Sequence, residues 1–428
     1  MSKNKKISLL ISKRFALGVL PLAIAAAQLP HIAYAATAWT ATSTEAFLLP
    51  RVRSAAEARS EAAGVAAPTG YALNVNGRPA LTNTRVTPLE ASQPLHITVV
   101  LKGRNDAQLD AFVRELEQPG NPNYHRYLTT AEFDERFAPT DAQVRSVVAH
   151  LRANGFRNIA VSENRRLVSA DGNADNSRGA FNVDLKRFTY RGKPVYGNAA
   201  PAQVPSDLGG MVEAVLGLQN AAVPHRLLHR LLPPSALIDQ PSRSFAAAGQ
   251  QVGHVPTDFA KIYGASSLPA ATKTTVGIIT WGDMTQTISD LNQFIQSVGL
   301  PTVNTAVVQG GPGTLADDGD PAEWDLDSQD IVGVSGGVKK LIFYAAANGD
   351  SSDSGLTDGT LAEAYNKAAS DNAAKLINVS LGEDEAAARR HPRVNRSHTG
   401  PPISRRATMP AACRPRRIRR SASSPGGI

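Results

Sequence analysis

At 428 residues the chain is long enough for two or three domains, and 42% hydrophobic residues fit a globular protein with a sizeable core. The formal charge of +8 belongs to the ends. Residues 389–428 hold eleven Arg and no Lys, Asp or Glu, the first fourteen residues hold five basic residues, and without both the body stands at −8. That excludes a basic nucleic-acid-binding body, and a single cysteine, Cys413 in the tail, excludes a disulfide framework and cysteine-built zinc sites.

Residues 1–35 read as a secretory signal peptide. A basic start leads into the apolar stretch Phe15–Ala27, then the small-x-small site Ala33–Ala35. The apolar run is short and interrupted by Pro21, so cleavage after Ala35 is expected, with no membrane attachment afterwards. Residues 36–90 have weak periodicity and read as a loosely ordered lead-in. Residues 91–220 are sharply patterned. "LHITVVLKG" alternates as a strand, and "DAQLDAFVRELEQ" carries an apolar stripe at helical spacing. "TDAQVRSVVAHLRANGF" predicts a helix capped by Thr140 and ended by Gly155. "NIAVSEN" and "RLVSADG" predict strands, and residues 176–198 a short helix leading into a hairpin. This is the pattern of a compact α+β domain. Residues 221–253 mix Arg, Pro, Ser and Ala without a period and predict an exposed linker with a processing region.

Residues 254–388 alternate strand and helix. "TTVGIITWGD" predicts a buried strand, "TISDLNQFIQSVGL" an amphipathic helix, and "NTAVVQGG" a strand. "AEWDLDSQDIVGVS" predicts a helix, "KKLIFYAAAN" a strand, "TLAEAYNKAASDN" a helix and "AAKLINVSLG" a further buried strand. The expected architecture is α/β with a mainly parallel sheet. Residues 389–428 contain no Leu, Phe, Tyr or Trp and predict a disordered tail.

Several motifs then occur in order. "NYHRYLTTAEFDERFAPT" (123–140), "AFNVDLKRF" (180–188) and "VLGL" (215–218) resemble the activation domain of the sedolisins, the serine-carboxyl peptidases. "VPTDFAKIYGA" (255–265), "AEWDLDSQ" (322–329) and "INVSLG" (377–382) resemble the first part of their catalytic domain. The resemblance implies a ferredoxin-like α+β activation domain followed by a truncated α/β subtilisin-like domain. It also implies a secreted zymogen that cleaves proteins and peptides at acid pH, with its activation domain as an intramolecular partner. The family's S-G-T-S nucleophile motif and S-G-D-x-G-like oxyanion motif do not occur after Gly382. The tail has the composition of GC-rich DNA read out of frame, with the shift expected near residues 385–390, and the polypeptide is expected to be inactive. Family calcium is implied too, but through a segment that this sequence does not carry, so no metal ligand is assigned.

Glu323 and Asp327 lie four apart on a predicted helix and share a face. Alone, such a pair is the wet side of a helix; the surrounding motifs reverse that reading. Two close carboxyls hold on to one proton, which suits a catalyst in acid. By resemblance, Glu323 is the general base toward a serine and Asp327 orients it. Asp325 points elsewhere and is expected to be solvated or capping. Ser380 and Gly382 are candidate substrate-binding residues that pair an extended peptide with the strand edge; a plain strand end with a turn at Gly382 remains the alternative. Residues 349–359 fit a polar loop rather than an EF-hand. Ser328, Ser335 and Ser380 are the serines to consider should the chain itself be active. Two other classes stay open: residues 90–220 as a stand-alone inhibitor or binding module, and anionic-surface binding by the tail. The tail's lack of aromatics argues against nucleic acid as a partner.

Overall fold

The computed structural model describes residues 38–50, 71–75, 78–81, 85–190, 192–222, 225–226, 254–349 and 355–382. The signal region, most of the linker and the Arg-rich tail lie outside the described residues.

The first part runs β1 (Trp39–Ala41), β2 (Leu48–Pro50), β3 (Tyr71–Val75), β4 (Arg78–Leu81), β5 (Thr87–Pro88) and β6 (Pro94–Leu101). It continues with α1 (Asp106–Leu116), α2 (Thr130–Phe137), α3 (Asp141–Ala153), β7 (Arg157–Val161), β8 (Leu167–Asn173) and α4 (Ala174–Phe181). Then come β9 (Leu185–Tyr190), β10 (Lys193–Asn198), β11 (Gln203–Pro205), β12 (Val212–Leu216) and β13 (His225–Arg226). A four-stranded antiparallel sheet in the order β12-β6-β8-β7 is its centre. Seven of the eight residues of β6 are buried, because one face packs on α3 and α4 and the other is covered as well. The helices start where their sequences say. Thr129 with Glu132, Thr140 with Gln143 and Asn173 with Asn176 form reciprocal capping boxes. Each satisfies two otherwise orphaned amides, a contribution of about 1 kcal/mol. Gly155, at φ +83°, turns the chain out of α3.

The lead-in is better ordered than its weak periodicity suggests. β1 pairs with β11 and β2 with β3, and Ala46 and Leu48 are buried. These strands are only three residues long. Their partners lie far away in sequence, so a local period cannot reveal them.

The second part comprises α5 (Phe259–Ile262), β14 (Thr275–Trp281), α6 (Thr285–Val298), β15 (Asn304–Gln309) and α7 (Ala322–Ser335). It is completed by β16 (Lys340–Ala346), α8 (Asp358–Asp371), β17 (Leu376–Asn378) and β18 (Leu381–Gly382). β15, β16, β14 and β17 form a wholly parallel sheet in that order. Parallel neighbours need crossovers, and α6, α7 and α8 supply them. The central strands β14 and β16 are buried almost throughout, as their unbroken apolar runs require. β17 departs from expectation. Among the described residues it has one neighbour, β14, and Leu376 and the following Val379 are 44% and 41% exposed. A short apolar run reads as buried whether it has one neighbour or two.

The two parts meet on α8. Ala362 packs against Val100, Leu167, Ala214 and Leu216 of the antiparallel sheet. Glu363 Oε1 accepts from Thr98 Oγ1 at 2.9 Å and lies 3.3 Å from His96 Nε2, while His96 Nδ1 is 2.7 Å from Asp171 Oδ1. Asp358 accepts from the Gly217 amide at 2.9 Å, Lys367 pairs with Glu163 at 2.9 Å, and Asn366 bonds Asn164. Burial lowers the basicity of His96, but its two carboxylate neighbours outweigh that and raise its pKa to about 10. The hydrogen bond from His96 holds the Asp171 carboxyl below its ordinary value.

Candidate active site

Ligand sites in open parallel sheets lie beyond the carboxyl ends of the strands, where neighbouring connections diverge. Glu323 and Asp327 sit there, on the first two turns of α7, which follows the loop leaving β15. Both are buried, at 3% and 8% exposure, so the wet-face reading fails for this helix. α7 buries them because it is packed on several sides: Trp324 and Val332 enter the core, α6 lies alongside, and Gly333 meets Pro256 and Phe294.

Asp327 is held from β17 and its exit. Ser380 Oγ donates to Asp327 Oδ1 at 2.7 Å, and Asn378 Nδ2 donates to Ser380 Oγ at 3.1 Å. Oδ2 of Asp327 is sealed from solvent and makes no hydrogen bond of normal geometry among the described residues. Burial pushes the Asp327 carboxyl up to about 6; Ser380 pulls it back, and the neighbouring Glu323 and Asp330 charges push the same way as burial. The result is a carboxyl that keeps its proton in mild acid, next to a second buried carboxyl one helical turn away.

Asp325 is not a solvated residue. It is half-buried against α6, where burial lifts its pKa to about 6 beside Thr287 and Asp290. Ser328 and Ser335 do not face the pair as nucleophiles. Ser328 is fully buried and its hydroxyl bonds the Asp325 carbonyl, and Ser335 bonds the Ile331 carbonyl. Both are internal to α7.

The strand edge at Leu381–Gly382 carries two residues of the chain's own linker. β13 pairs antiparallel with β18, His225 opposite Gly382 and Arg226 opposite Leu381. Ser380 contributes its side chain to Asp327. Arg226 lies over Trp281 and Trp324, with its guanidinium carbon 5.4 and 5.9 Å from the ring centres. The two indoles meet edge to face at 5.0 Å. Asp318 Oδ2 accepts from Arg226 Nη2 at 2.6 Å and from Trp281 Nε1 at 2.9 Å, and Arg226 Nη1 donates to the Asp320 carbonyl. The loop bearing Asp318 is fixed by Asn348, whose side chain bonds the amide and carbonyl of Ala316.

Sequence reasoning missed Asn378, Arg226, Asp318 and Trp281. Trp281 ends a central parallel strand and Asn378 lies two residues before Ser380, which are signals of position. Arg226 and Asp318 had no signal, because 92 residues separate them. Among the described residues, no group of three or more His, Cys, Asp or Glu is placed to hold a metal. No helix among them is long and apolar enough to cross a membrane.

Residues 82–221 match the family model described as Pro-kumamolisin, activation domain. The chain is similar to Xanthomonalisin from Xanthomonas sp. (strain T-22), 49% identical over 370 residues, which covers 86% of this chain and 45% of that protein. It is similar to Sedolisin from Pseudomonas sp. (strain 101), 44% identical over 389 residues, which covers 90% of this chain and 60% of that protein. The chain thus spans about half the length of the curated relatives it matches. A solved structure, Pseudomonas sedolisin (serine-carboxyl proteinase) complexed with two molecules of pseudo-iodotyrostatin, shares 50% identity over 33% of this chain and 38% of that one, with a TM-score of 0.30.

Proposed function

The chain belongs to the sedolisin family of serine-carboxyl peptidases, and from that premise we propose that it is the activation domain and leading catalytic half of a secreted endopeptidase that works in acid. The observation that carries this reading is the buried Glu323–Asp327 pair at the carboxyl end of the parallel sheet, with Asp327 raised to about 6. A histidine base is protonated in acid and cannot accept a proton; a carboxylate can. Glu323 takes the proton of a serine hydroxyl as that oxygen attacks the peptide carbonyl. Asp327, fixed by Ser380, orients Glu323 and shares its proton, as a third member orients the base in other triads.

The serine and the oxyanion-stabilising carboxyl belong to motifs that this sequence does not carry after Gly382. On this reading residues up to Gly382 supply base, orienting acid and substrate edge, and peptide hydrolysis is expected only once a serine completes the site. Secretion rests on the leader at residues 1–35 and on family resemblance. The family's calcium is expected through a segment that this sequence does not carry, so no residue here is assigned to it and no step is routed through it.

The test is complementation. The chain truncated after Gly382 and joined to the remaining catalytic segment of Xanthomonalisin is assayed on a protein substrate across the acid range, beside the unmodified chain. Acid-peaked hydrolysis by the joined protein alone is expected. Hydrolysis by the unmodified chain, or activity of the joined protein that peaks above neutrality, contradicts the reading.

A further inference from the structure

We propose that Trp281, Trp324, Asp318 and the Asp320 carbonyl form a binding pocket for a basic side chain of a peptide laid along β18, and that Arg226 of the chain's own linker occupies it as a substrate mimic. The inference rests on the reading of Ser380–Gly382 as a peptide-binding edge and adds the residue that edge selects.

Four contacts support it. A carboxylate oxygen and a backbone carbonyl accept from different guanidinium nitrogens, and two indole faces flank the cation. Charge-assisted bonds and ring contacts of this kind recognise arginine better than any neutral side chain. The pocket is also built in advance of its occupant. Asp318 is held by the Trp281 ring nitrogen, the indoles brace one another, and Asn348 fixes the loop. The position is set by an independent feature, the antiparallel register of Arg226 with Leu381. Extended by one residue, that register brings a peptide's next residue opposite Ser380, whose hydroxyl touches Asp327. The selected basic residue therefore lies one place before the residue presented beside the acidic pair. Trp324 follows Glu323 directly in α7, so pocket and base are parts of one helical turn.

The linker reads "HRLLHRLL" over residues 225–232, the same tetrapeptide twice. This gives a control needing no substitution. Trypsin has the same local preference for Arg226 and Arg230, so their relative cleavage in the full wild-type chain reports protection of Arg226. Cleavage after Arg226 is expected to be slower by at least about tenfold, given a charge-assisted anchor. Equal rates overturn the proposal. The second arm uses the full chain with Arg226→Ala, which vacates the pocket, and labelled acetyl-His-Arg-Leu-Leu and acetyl-His-Ala-Leu-Leu. The Arg peptide should bind at least about tenfold more tightly, and adding Asp318→Asn should cut that preference to roughly threefold or less. Equal binding of the two peptides overturns the basic pocket and leaves the peptide-binding edge standing. Binding of neither overturns the edge reading and the pocket with it.

Discussion

Asp327→Asn isolates the energetic cost of the buried acidic pair. Asp327 titrates at about 6 in the folded protein against an ordinary 3.8, chiefly because it is buried. The folded state therefore binds this proton more tightly than the unfolded state. An acid with a raised folded pKa costs stability above that pKa, and the cost fades as pH falls from about 6 toward 3.8. The size of the gap corresponds to about 3 kcal/mol at neutral pH and above. Asparagine has the same shape and keeps an Oδ1 to accept from Ser380. It also places an amide where Oδ2 has no hydrogen bond of normal geometry among the described residues. An unmet donor there costs about 1–3 kcal/mol, but equally at every pH. The discriminating quantity is thus the change in the mutational effect between pH 8 and pH 4, from which that geometric cost cancels. Urea unfolding followed by tryptophan fluorescence should show the variant gaining about 2.5 kcal/mol relative to wild type between pH 4 and pH 8, since about 0.5 kcal/mol of the cost is still present at pH 4. A mutational effect that is the same at both pH values, within about 0.5 kcal/mol, refutes the argument.

Ser380→Ala removes the hydroxyl that lowers the Asp327 pKa, so carbon-detected NMR of the Asp327 carboxyl should show it titrating above its wild-type midpoint; an unchanged midpoint removes Ser380 from the site. His96→Gln tests the junction with α8. The raised His96 pKa of about 10 contributes stability that is complete below about 6.5 and is lost as pH rises through 10. The depressed Asp171 carboxyl contributes stability that persists until pH falls below its ordinary 3.8. The His96→Gln penalty in thermal unfolding should accordingly be largest near pH 5–6 and vanish above pH 10; a penalty independent of pH contradicts the pairing. Gly311→Ala places a Cβ 1.8 Å from Glu363 Oε2 and 2.5 Å from its Cδ. Over-packing of this kind costs about 1–3 kcal/mol, and denaturation midpoints that match wild type would show that α8 can shift to admit it.

The helices and central strands were legible because each carries its own signal. Thr140 ahead of its apolar stripe announces α3, and the unbroken apolar runs of β14 and β16 announce buried parallel strands. Glu323 and Asp327 were singled out as candidates by their spacing and the motifs around them. Their burial was not legible, because it comes from α6, Pro256 and Phe294 packing on α7 from elsewhere in the sequence. The same limit misplaced Asp325, whose partner surface is Thr287 and Asp290 on another helix. It also hid the pairing of β1 with β11 and the docking of Arg226 on Asp318. Local periodicity reports how one segment meets water; it carries no information on which distant segment replaces that water.

The most direct test of the account is Glu323→Gln in the chain completed with the Xanthomonalisin segment. An amide keeps the shape and cannot accept the serine proton. The account predicts that acid peptidase activity falls by at least about a hundredfold, the usual weight of a general base, while the urea midpoint stays near that of the parent. Full activity in the Glu323→Gln enzyme would contradict the assignment of the pair.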